Sequence, residues 1–372
     1  MRQAFDGIYE GLTVLVTGHT GFKGAWLSLW LKELGAQVVG YSLETLASPN
    51  HFEAAGLAHK MIHLIGDICD YDSLKAVIDH YQPDIIFHLA AQAIVLDSYK
   101  YPQRTFEVNA QGTVNVLEAS RSAAKLQAVV LVTTDKCYEN REWTWGYREN
   151  DPLGGNDPYS ASKAMAELAI ASYRKSFFAE NGPAIASVRA GNVIGGGDFS
   201  PHRIVPDCMK ALMQEKPILV RNPQSIRPWF HVLDPLSGYL TLGALLLQDK
   251  KHFSESWNFG PKENRGVTVR ELVEKSIELW GQGSWVTPSG VPSKAEMNFL
   301  RLNWDKAAQE LFWEPTYGWI EALESTVDWF KAYLSDEDIY SVSRHQIENY
   351  MAKASSQGLK WAKALEEAVR EV

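Results

Sequence analysis

Tyr159 and Lys163 lie four residues apart in a segment that starts at Pro158 and has the pattern of a helix. On a helix, this spacing places both side chains on one face, about 5–6 Å apart at their Cβ atoms. A lysine ammonium beside a phenol favours the phenolate, so we expect Lys163 to lower the pKa of Tyr159 below the unperturbed value of about 10. The tyrosine could then take a proton from a hydroxyl while a hydride leaves the adjoining carbon.

Tyr71 and Lys75 have the same spacing, so the spacing alone has little predictive value. The two pairs differ in what precedes them along the chain. The polar segment Thr133–Lys136 ends an apolar strand just before Tyr159, whereas no other candidate polar group lies near Tyr71. In an open α/β sheet, ligands bind outside the carboxyl ends of the strands. We therefore predict that Tyr159 and Lys163 are the catalytic pair.

The polar segment supplies three more candidate catalytic residues, Thr134, Asp135 and Lys136. Thr134 could hydrogen-bond the hydroxyl that Tyr159 deprotonates. Asp135 and Lys136 are two further groups able to transfer protons. The alternative is that Asp135 and Lys136 only cap a turn after the strand.

The segment Thr17–Gly24 reads TGHTGFKG and lies between the first predicted strand and the first predicted helix. Its glycines allow a tight turn and let backbone N–H groups approach a pyrophosphate, next to the partial positive charge of a helix N-terminus. We therefore predict nucleotide binding here rather than a purely structural turn. The predicted cofactor-binding residues of the turn are Gly18, His19, Thr20, Gly21, Phe22, Lys23 and Gly24.

The ends of the second and third predicted strands bear on which dinucleotide binds. NAD-binding chains often carry an acidic residue after the second strand for the ribose hydroxyls, but this chain has Ser42. No arginine cluster follows that would hold the extra phosphate of NADP, although Lys23 could contribute. We favour NAD. After the third strand, Asp67 and Ile68 suit an adenine contact; alternatively, Asp67 is the N-cap of the following helix.

Apolar runs that alternate with helical patterns in the first half predict an α/β fold: a Rossmann-type, doubly wound parallel sheet with helices on both faces. The predicted strands are Leu12–Thr17, Gln37–Tyr41, Ile62–Gly66, Ile85–Leu89, Ala128–Thr133 and Ala184–Arg189. The predicted helices include Trp26–Leu34, Leu74–Tyr81 and Val108–Ala119. Pro102 and Pro158 are helix-start signals.

The regular alternation stops near residue 190, which suggests a domain boundary. We predict an NAD-binding Rossmann domain over residues 1–190 and a smaller, mainly nucleotide-sugar-binding domain over 191–334, with some segments returning to the first domain. Within the second, Gly195–Gly197 predicts a flexible turn. Residues 335–372 are predicted to form a helical tail, and Tyr350–Val372, rich in Ala, Lys and Glu, an exposed helix.

Composition and charge exclude several classes of protein. The 36 Lys and Arg residues against 45 Asp and Glu residues give a net charge of −9, which argues against binding to nucleic acid. Three widely spaced cysteines without a CxxC pair predict no disulfide framework and no metal site. We expect no signal peptide and no membrane span, and hence a cytoplasmic protein.

Several motifs together resemble those of the extended short-chain dehydrogenases/reductases. They are the TGHTGFKG turn, His88-Leu89-Ala90-Ala91, Asn109, Thr134-Asp135-Lys136 and the Tyr159/Lys163 pair. More narrowly, the chain is similar to the CDP-glucose 4,6-dehydratases over nearly its whole length, to about Leu334. Most sugar-nucleotide 4,6-dehydratases have Glu in the place of Lys136, whereas the CDP-glucose enzymes and some UDP-N-acetylglucosamine dehydratases have Lys. The segment Arg227–Val232, RPWFHV, also favours the CDP-glucose family.

The resemblance implies further cofactor and substrate contacts. Beyond the glycine turn and Asp67-Ile68, the implied contacts of NAD are Leu89, Ala90, Ala91, Asn109, Thr133, Tyr159 and Lys163. Asn192 matches a substrate-contacting Asn of the family, although Asn before a glycine turn is also commonplace. Arg227 matches an arginine that binds the diphosphate, since a guanidinium fits two phosphate oxygens at once. An ordinary surface position is the alternative for Arg227.

The resemblance also implies the activity. A CDP-glucose 4,6-dehydratase, a lyase, converts CDP-D-glucose to CDP-4-keto-6-deoxy-D-glucose and water through transient NADH, in deoxysugar and O-antigen (lipopolysaccharide) biosynthesis. Members of the family pair two helices per subunit, here about 102–125 and 158–181, so a homodimer or homotetramer is expected. The alternatives are another nucleotide-sugar 4,6-dehydratase, a 4-epimerase, and a non-catalytic NAD(P)-binding sensor. A sensor would not need the proton-transfer groups.

Overall fold

A computed structural model describes residues 1–45, 48–248, 252–263, 266–287 and 300–362. At its centre is a sheet of seven parallel strands. Numbered along the chain, these strands are β1 (Thr13–Thr17), β2 (Gln37–Ser42), β3 (Ile62–Ile65), β4 (Ile85–His88), β5 (Ala128–Val132), β6 (Ala184–Ala190) and β11 (Ser256–Phe259). Their order across the sheet is β11-β6-β5-β4-β1-β2-β3. The order reverses between β1 and β4, which is where doubly wound sheets bind nucleotides.

The doubly wound sheet and all six predicted strands are confirmed, with ends that differ by one residue. The seventh strand, β11, was not predicted because its residues, SWNF, alternate polar and aromatic side chains and form no apolar run. It pairs with β6, and Ser256 lies opposite Ser187. A segment between residues 191 and 334 thus returns to the first sheet, while the predicted domain division itself stays a prediction.

Helices cover both faces of this sheet and form much of the region beyond it. They are α1 (Phe22–Glu33), α2 (His51–Ala54), α3 (Tyr71–Tyr81), α4 (Val95–Lys100), α5 (Pro102–Phe106), α6 (Gly112–Arg121), α7 (Pro158–Ser176), α8 (Ile204–Met213), α9 (Leu233–Gln248), α10 (Val269–Trp280), α11 (Asp305–Glu310), α12 (Trp319–Leu334) and α13 (Ile339–Ser356). Pro102 and Pro158 begin α5 and α7, as predicted. A π-helical turn, Glu107–Gln111, joins α5 to α6, so the predicted helix Val108–Ala119 is part of a longer helical segment.

Two apolar cores lie on the two faces of the sheet. Successive residues of a strand point to opposite faces, so Val14 and Val16 of β1 join one core and Leu15 joins the other. The first core also contains α1 and the C-terminal helices, with Trp26 and Trp329 fully buried. The second contains α3, α6 and α7. Because both faces are covered, the strands read as continuous apolar runs rather than alternating ones.

Beyond β6, the described strands other than β11 form short pairs. They are β7 (Val193–Ile194) with β10 (Phe230–His231), β8 (Ile218–Leu219) with β13 (Trp285–Val286), and β9 (Ile226–Arg227) with β12 (Val267–Thr268). The predicted turn is present at Gly195–Gly197, and these glycines are buried and closely packed. A side chain on Gly196 would overlap the indole of Trp329, and Gly197, with a φ of 78°, lies against His51.

The C-terminal part of the chain folds back onto α1 and α12. The Tyr350 hydroxyl donates a hydrogen bond of 2.9 Å to Asp234 at the start of α9, and the Trp361 ring stacks on Phe5 with centroids 5.0 Å apart. The predicted exposure of the helix from Tyr350 is therefore wrong for the described residues, and 363–372 lie outside them. Within the described part of the chain, we find no helix of the length and apolarity that a membrane crossing requires.

Candidate active site

The sheet brings most of the predicted site residues to one edge. β1 and β4 are neighbours, with Thr17 opposite His88, and β5 lies on the other side of β4. The glycine turn leaves β1, the Leu89–Ala91 loop leaves β4, and the polar segment Thr133–Lys136 leaves β5. Because the strands are parallel, these three loops emerge at the same side of the sheet.

The glycine turn has no room for side chains at two of its glycines. Gly18 has a φ of 76°, and a Cβ there would lie 2.6 Å from the backbone nitrogen of Ala90. A Cβ on Gly24, in the first turn of α1, would lie 2.1 Å from the Gly18 carbonyl oxygen. The turn thus packs directly on the loop after β4, with the N-terminus of α1 beside it. This is the backbone geometry in which a helix N-terminus holds a pyrophosphate.

The side chains of His19 and Thr20 hold this turn against β2 and β3. His19 is buried, its Nε2 lies 2.6 Å from Nδ1 of His63 on β3, and burial lowers the pKa of His19 to about 3. The Thr20 hydroxyl lies 2.8 Å from the hydroxyl of Ser42. At the end of β2, Ser42 is therefore bonded to the turn itself, in the place where NAD-binding chains often present an acidic residue.

Asp67 and Ile68 follow β3. Asp67 accepts a backbone N–H at 2.9 Å and forms an ion pair with Arg104. Burial alone would raise the pKa of Asp67, but the hydrogen bond and the guanidinium lower it. The alternative role of Asp67 as the helix N-cap is wrong, because Asp70 caps α3. The Ile68 side chain is buried in the second core.

Asn109 lies in the π-helical turn and joins two parts of the site. Its Oδ1 accepts the N–H of Gln92 at 2.8 Å, and its Nδ2 donates to the Gln92 carbonyl at 3.0 Å and to the Ser162 hydroxyl at 2.9 Å. Such turns are frequent at functional sites. Asn109 thereby ties the loop after β4 to α7, the helix that carries Tyr159 and Lys163.

Tyr159 and Thr134 meet at the carboxyl end of β5. Both residues are more than nine-tenths buried, and the Thr134 hydroxyl lies close enough to the phenol to favour its ionised form. Thr134 also donates to Oδ1 of Asp135 at 3.0 Å. Burial raises the pKa of Tyr159 to about 12, although the nearby Thr134 hydroxyl acts in the opposite direction. The structure thus brings Tyr159, Thr134 and Asp135 together at this strand end.

The Lys163 ammonium is directed at the backbone rather than at the phenol. Its Nζ donates to the carbonyl oxygen of Val132, the last residue of β5, at 3.2 Å. The expected lowering of the Tyr159 pKa by Lys163 is wrong for the protein alone, because burial is the strongest influence and raises this pKa. Helical spacing sets only the Cβ positions, and the long lysine side chain turns toward the strand. Burial also lowers the pKa of Lys163, to about 8.

Asp135 and Lys136 form the first turn after β5. Asp135 is buried, and burial raises the pKa of its carboxyl group, opposed most strongly by the charge of Lys136. A Cβ on Gly191 would lie 3.1 Å from Oδ2 of Asp135, so the glycine leaves room beside the carboxylate. Lys136 is half-buried and lines a small cavity with Asn156. The turn therefore combines a carboxyl group inclined to hold a proton with a neighbouring ammonium.

Further charged side chains reach the same area from α1 and from the start of α8. Lys23, in the first turn of α1, lies close enough to Asp135 for the two charges to interact; burial, and then Arg203, lower its pKa to about 8. Arg203 pairs with Asp198 at 3.2 Å, and its charge also acts on Tyr159. Arg203 and Asp198 were not predicted to belong to the site, because no local pattern after β6 indicates which way these side chains face.

The two predicted substrate residues lie beyond β6. Asn192 directly follows Gly191, which contacts Asp135, and so adjoins the polar segment. Arg227 is half-buried in the β9–β12 pair and donates to a neighbouring backbone carbonyl at 2.8 Å. The next residue, Pro228, lies 4.0 Å from a Cβ placed on Gly191. Both positions are therefore close to the Asp135 side of the site.

Comparison with known families agrees with this geometry. A family model described as GDP-mannose 4,6 dehydratase matches residues 15–326. The chain belongs to the GDP-mannose 4,6-dehydratase family. The match starts in β1 and ends in α12, so it spans the glycine turn, the polar segment and α7.

Curated relatives narrow the resemblance within the dehydratase family. The CDP-glucose 4,6-dehydratase of Salmonella typhimurium is 46% identical over 350 residues, which cover 92% of this chain and 97% of that protein. The dTDP-glucose 4,6-dehydratase of Xanthomonas campestris pv. campestris is 27% identical, with 86% and 93% covered. The similarity to CDP-glucose 4,6-dehydratases that the motifs indicated is thereby confirmed.

Solved structures share the fold of this dehydratase family member. The UDP-glucose 4-epimerase of Thermotoga maritima, solved with UDP-glucose, has a TM-score of 0.75 at 22% identity, covering 87% of this chain and 100% of that one. The dTDP-glucose 4,6-dehydratase of Bacillus anthracis, solved with NAD, has a TM-score of 0.72 at 23% identity, covering 89% and 100%. At these identities the likeness establishes the fold alone.

Proposed function

We propose that the protein is a CDP-glucose 4,6-dehydratase, which converts CDP-D-glucose to CDP-4-keto-6-deoxy-D-glucose and water with NAD as cofactor. The observation that carries the proposal is the meeting of Tyr159 and Thr134 with Asp135 and Lys136 at the end of β5. A 4-epimerase needs groups for hydride removal and return alone, whereas a dehydratase must also transfer protons at C5 and at the C6 hydroxyl. The 46% identical enzyme of Salmonella typhimurium supports the choice of sugar nucleotide.

The residues at the β1–β4 switch fit a dinucleotide, and we assign this place to NAD. The fit rests on the glycine turn. Gly18 and Gly24 have no space for a side chain, so the turn presents bare backbone at this place. When bound, NAD supplies the acceptor for the hydride of C4, which is returned at C6, and a positively charged nicotinamide ring. The proposed contacts are Gly18, His19, Thr20, Gly21, Phe22, Lys23, Gly24, Asp67, Ile68, Leu89, Ala90, Ala91, Asn109, Thr133, Tyr159 and Lys163.

Tyr159 is the proposed base for the C4 hydroxyl. With a pKa of about 12, its phenol is protonated at neutral pH in the protein alone. A positive charge close to the phenol lowers this pKa, so we expect Tyr159 to become a base when the cofactor completes the site beside Lys163. Thr134, whose hydroxyl lies close to the phenol, is placed to bind the same sugar hydroxyl. As the proton leaves the oxygen and the hydride leaves C4, C4 becomes a ketone.

Asp135 and Lys136 are the proposed proton-transfer groups of the elimination. The C4 ketone makes the C5 proton acidic, so one group removes it while the other gives a proton to the departing C6 hydroxyl, which leaves as water. The raised pKa of Asp135 lets its carboxyl group hold a proton at higher pH than an exposed one would. A proton returns to C5 as the hydride adds at C6, and the product keeps the ketone at C4.

Asn192 and Arg227 are the proposed contacts of the nucleotide sugar. Both adjoin the Asp135 side of the site, where the glucose ring must lie for elimination. Arg227 would bind the diphosphate, because its guanidinium can donate to two phosphate oxygens together. This contact is common to all nucleotide-diphosphate sugars, so it would set affinity and not the choice of base.

We also propose a cytoplasmic homodimer or homotetramer that acts in deoxysugar and O-antigen synthesis. Large apolar side chains are exposed along one side of α7 and just before α5: Met165, Leu168, Tyr99 and Tyr101. A second copy packed on these helices would cover them. The three cysteines are free, as suits a reducing compartment. The mass of the protein in solution tests the assembly.

The decisive experiment incubates the purified protein with CDP-, UDP-, GDP- and dTDP-glucose and measures the alkali-induced absorbance of a 4-keto-6-deoxy sugar. We expect the largest kcat/KM with CDP-glucose. A clear preference for another nucleotide would reject this substrate and leave the dehydratase chemistry standing. Formation of a C4 epimer without loss of water would reject the dehydratase.

A further inference from the structure

A buried ion pair beneath the catalytic pair has no part in the reaction scheme above. The side chains of Glu167 and Arg189 are 1% and 3% exposed, and their charged groups are 2.7 Å apart. Glu167 lies on α7 one helical turn after Lys163, so the two side chains share a face of the helix. Arg189 comes from β6, whose other residues are small or apolar.

The Glu167 carboxylate accepts three hydrogen bonds. Oε1 accepts from the Thr133 hydroxyl, and Oε2 accepts from the Ser187 hydroxyl at 2.8 Å and from Arg189 at 2.7 Å. Arg189 in turn donates to the Tyr138 hydroxyl at 2.6 Å. Burial alone would raise the pKa of Glu167, but Arg189 and these hydrogen bonds hold it below its usual range. The carboxylate is therefore a fixed negative charge in the core.

We propose that Glu167 is a positioning residue for Lys163: its carboxylate, fixed in the core by Arg189 one helical turn after Lys163, compensates the charge of the buried ammonium. This inference rests on the proposed function, in which Lys163 acts beside Tyr159. Lys163 is 5% exposed, and a buried charge is unfavourable unless an opposite charge compensates it. Burial lowers the pKa of Lys163, and the charge of Glu167 is the strongest influence that raises it.

The other titratable groups around Lys163 come from three elements. Lys23 of α1 is a second cation and disfavours a charged Lys163. His88 of β4 is held neutral by burial, which lowers its pKa to about 3. Cys137, in the turn after β5, is held as a thiol because burial raises its pKa. Of Glu167 and these three neighbours, Glu167 alone carries a negative charge at neutral pH.

The test measures the pH dependence of kcat in the double variant Glu167→Gln/Arg189→Met. Both buried charges are removed together, so neither is left unpaired in the core. Without the carboxylate, Lys163 loses its proton at lower pH. We expect the alkaline limb of the kcat profile to move to lower pH by about one pH unit. At a pH above the alkaline limbs of the wild type and the variant, this shift is roughly a tenfold loss of rate.

The matched control is Tyr138→Phe. This change removes one hydrogen bond of Arg189 and leaves the charge of Glu167, so the alkaline limb should stay in place. An unchanged limb in the double variant, or an equal shift in Tyr138→Phe, overturns the proposal. If the first double variant does not fold, Glu167→Gln/Arg189→Gln, which keeps polar groups in the core, takes its place in the same measurement.

A second readout separates this inference from the proposed function. If the wild-type protein converts no nucleotide sugar, the proposed function fails, and Lys163 is then titrated directly by NMR with 13C-labelled lysine ε-carbons. Lys163→Met identifies the signal. A Lys163 titration at lower pH in the double variant than in the wild type supports the inference, and titration at the same pH overturns it, whatever reaction the protein performs.

Discussion

Two helices of this protein carry a tyrosine and a lysine four residues apart, in opposite surroundings. On α7, Tyr159 and Lys163 are 8% and 5% exposed, and burial lowers the pKa of the lysine to about 8. On α3, Lys75 is one-third exposed and pairs with Asp79 one turn further on. That hydrogen bond raises the pKa of Lys75. Identical spacing thus accompanies an ammonium with a lowered pKa on α7 and one with a raised pKa on α3.

The difference follows from where each helix lies on the sheet. α7 packs against the turn that ends β5, so its polar residues are enclosed with Thr134 and Asp135. α3 follows β3 at the outer edge of the sheet, and its lysine faces water. A charge in water needs no built partner, whereas a buried charge persists only where other groups compensate it. The four-residue spacing places the two side chains on one face of a helix. Burial at a strand end shifts their pKa values and places other polar groups beside them.

The largest effect should separate Tyr159→Phe from Tyr71→Phe. Losing the phenol on α7 removes the proposed base, so we expect turnover to fall by about 10²–10⁴-fold while folding and cofactor binding persist. Tyr71→Phe should leave turnover almost unchanged. Steady-state kinetics with CDP-glucose, together with cofactor titration of each variant, provide the check. Comparable losses in the two variants would contradict the difference drawn between the helices.

The next largest effect concerns the groups that α7 has beside it and α3 lacks. Asp135→Asn and Lys136→Met should each slow elimination by about 10²-fold, more than they slow oxidation at C4. Reduced cofactor should therefore accumulate in rapid-mixing absorbance measurements. The control Lys75→Met should show neither slower turnover nor accumulated NADH. If turnover falls in both variants without any NADH ever building up, Asp135 and Lys136 do not act in elimination.

A smaller effect is expected at the substrate end of the site. Arg227→Ala should raise KM by roughly ten- to a hundredfold, the value of a charge-assisted pair of hydrogen bonds to phosphate. The rise should be the same for every nucleotide-diphosphate glucose, since all carry the diphosphate. Arg270→Ala is the control, because Arg270 is exposed on α10 and pairs with Glu274. A change in base preference with Arg227→Ala would show that this residue reads the base.

The smallest effect is on stability and tests the enclosure itself. Lys163→Met removes a buried ammonium and leaves Glu167 paired with Arg189, so the thermal midpoint should stay equal or rise while turnover is lost. Lys75→Met on α3 should change neither quantity. Thermal denaturation followed by circular dichroism gives the midpoints. A clear drop in the midpoint of Lys163→Met would mean that this lysine stabilises the fold, contrary to the comparison.

Local patterns in the sequence determined the central sheet and the contents of the site. Each of the six predicted strands is a short apolar run with turn residues after it, and burial on both faces of a parallel sheet produces that pattern. The TGHTGFKG turn was identified because glycine is needed where Gly18 takes a positive φ and Gly24 touches a carbonyl. The polar segment stood out because a buried strand has no packing reason to end on Thr133–Lys136.

Only the tertiary structure decided which side chains meet. It turned the Lys163 ammonium toward Val132, gave Glu167 its partner Arg189, and buried Tyr350 against Asp234, which lies 116 residues earlier. Periodicity along the chain reports which face of an element is buried, because burial repeats with the geometry of that element. It carries no information on which distant element covers that face. The contacts between distant side chains, and the pKa values that those contacts set, exist only once the chain has folded.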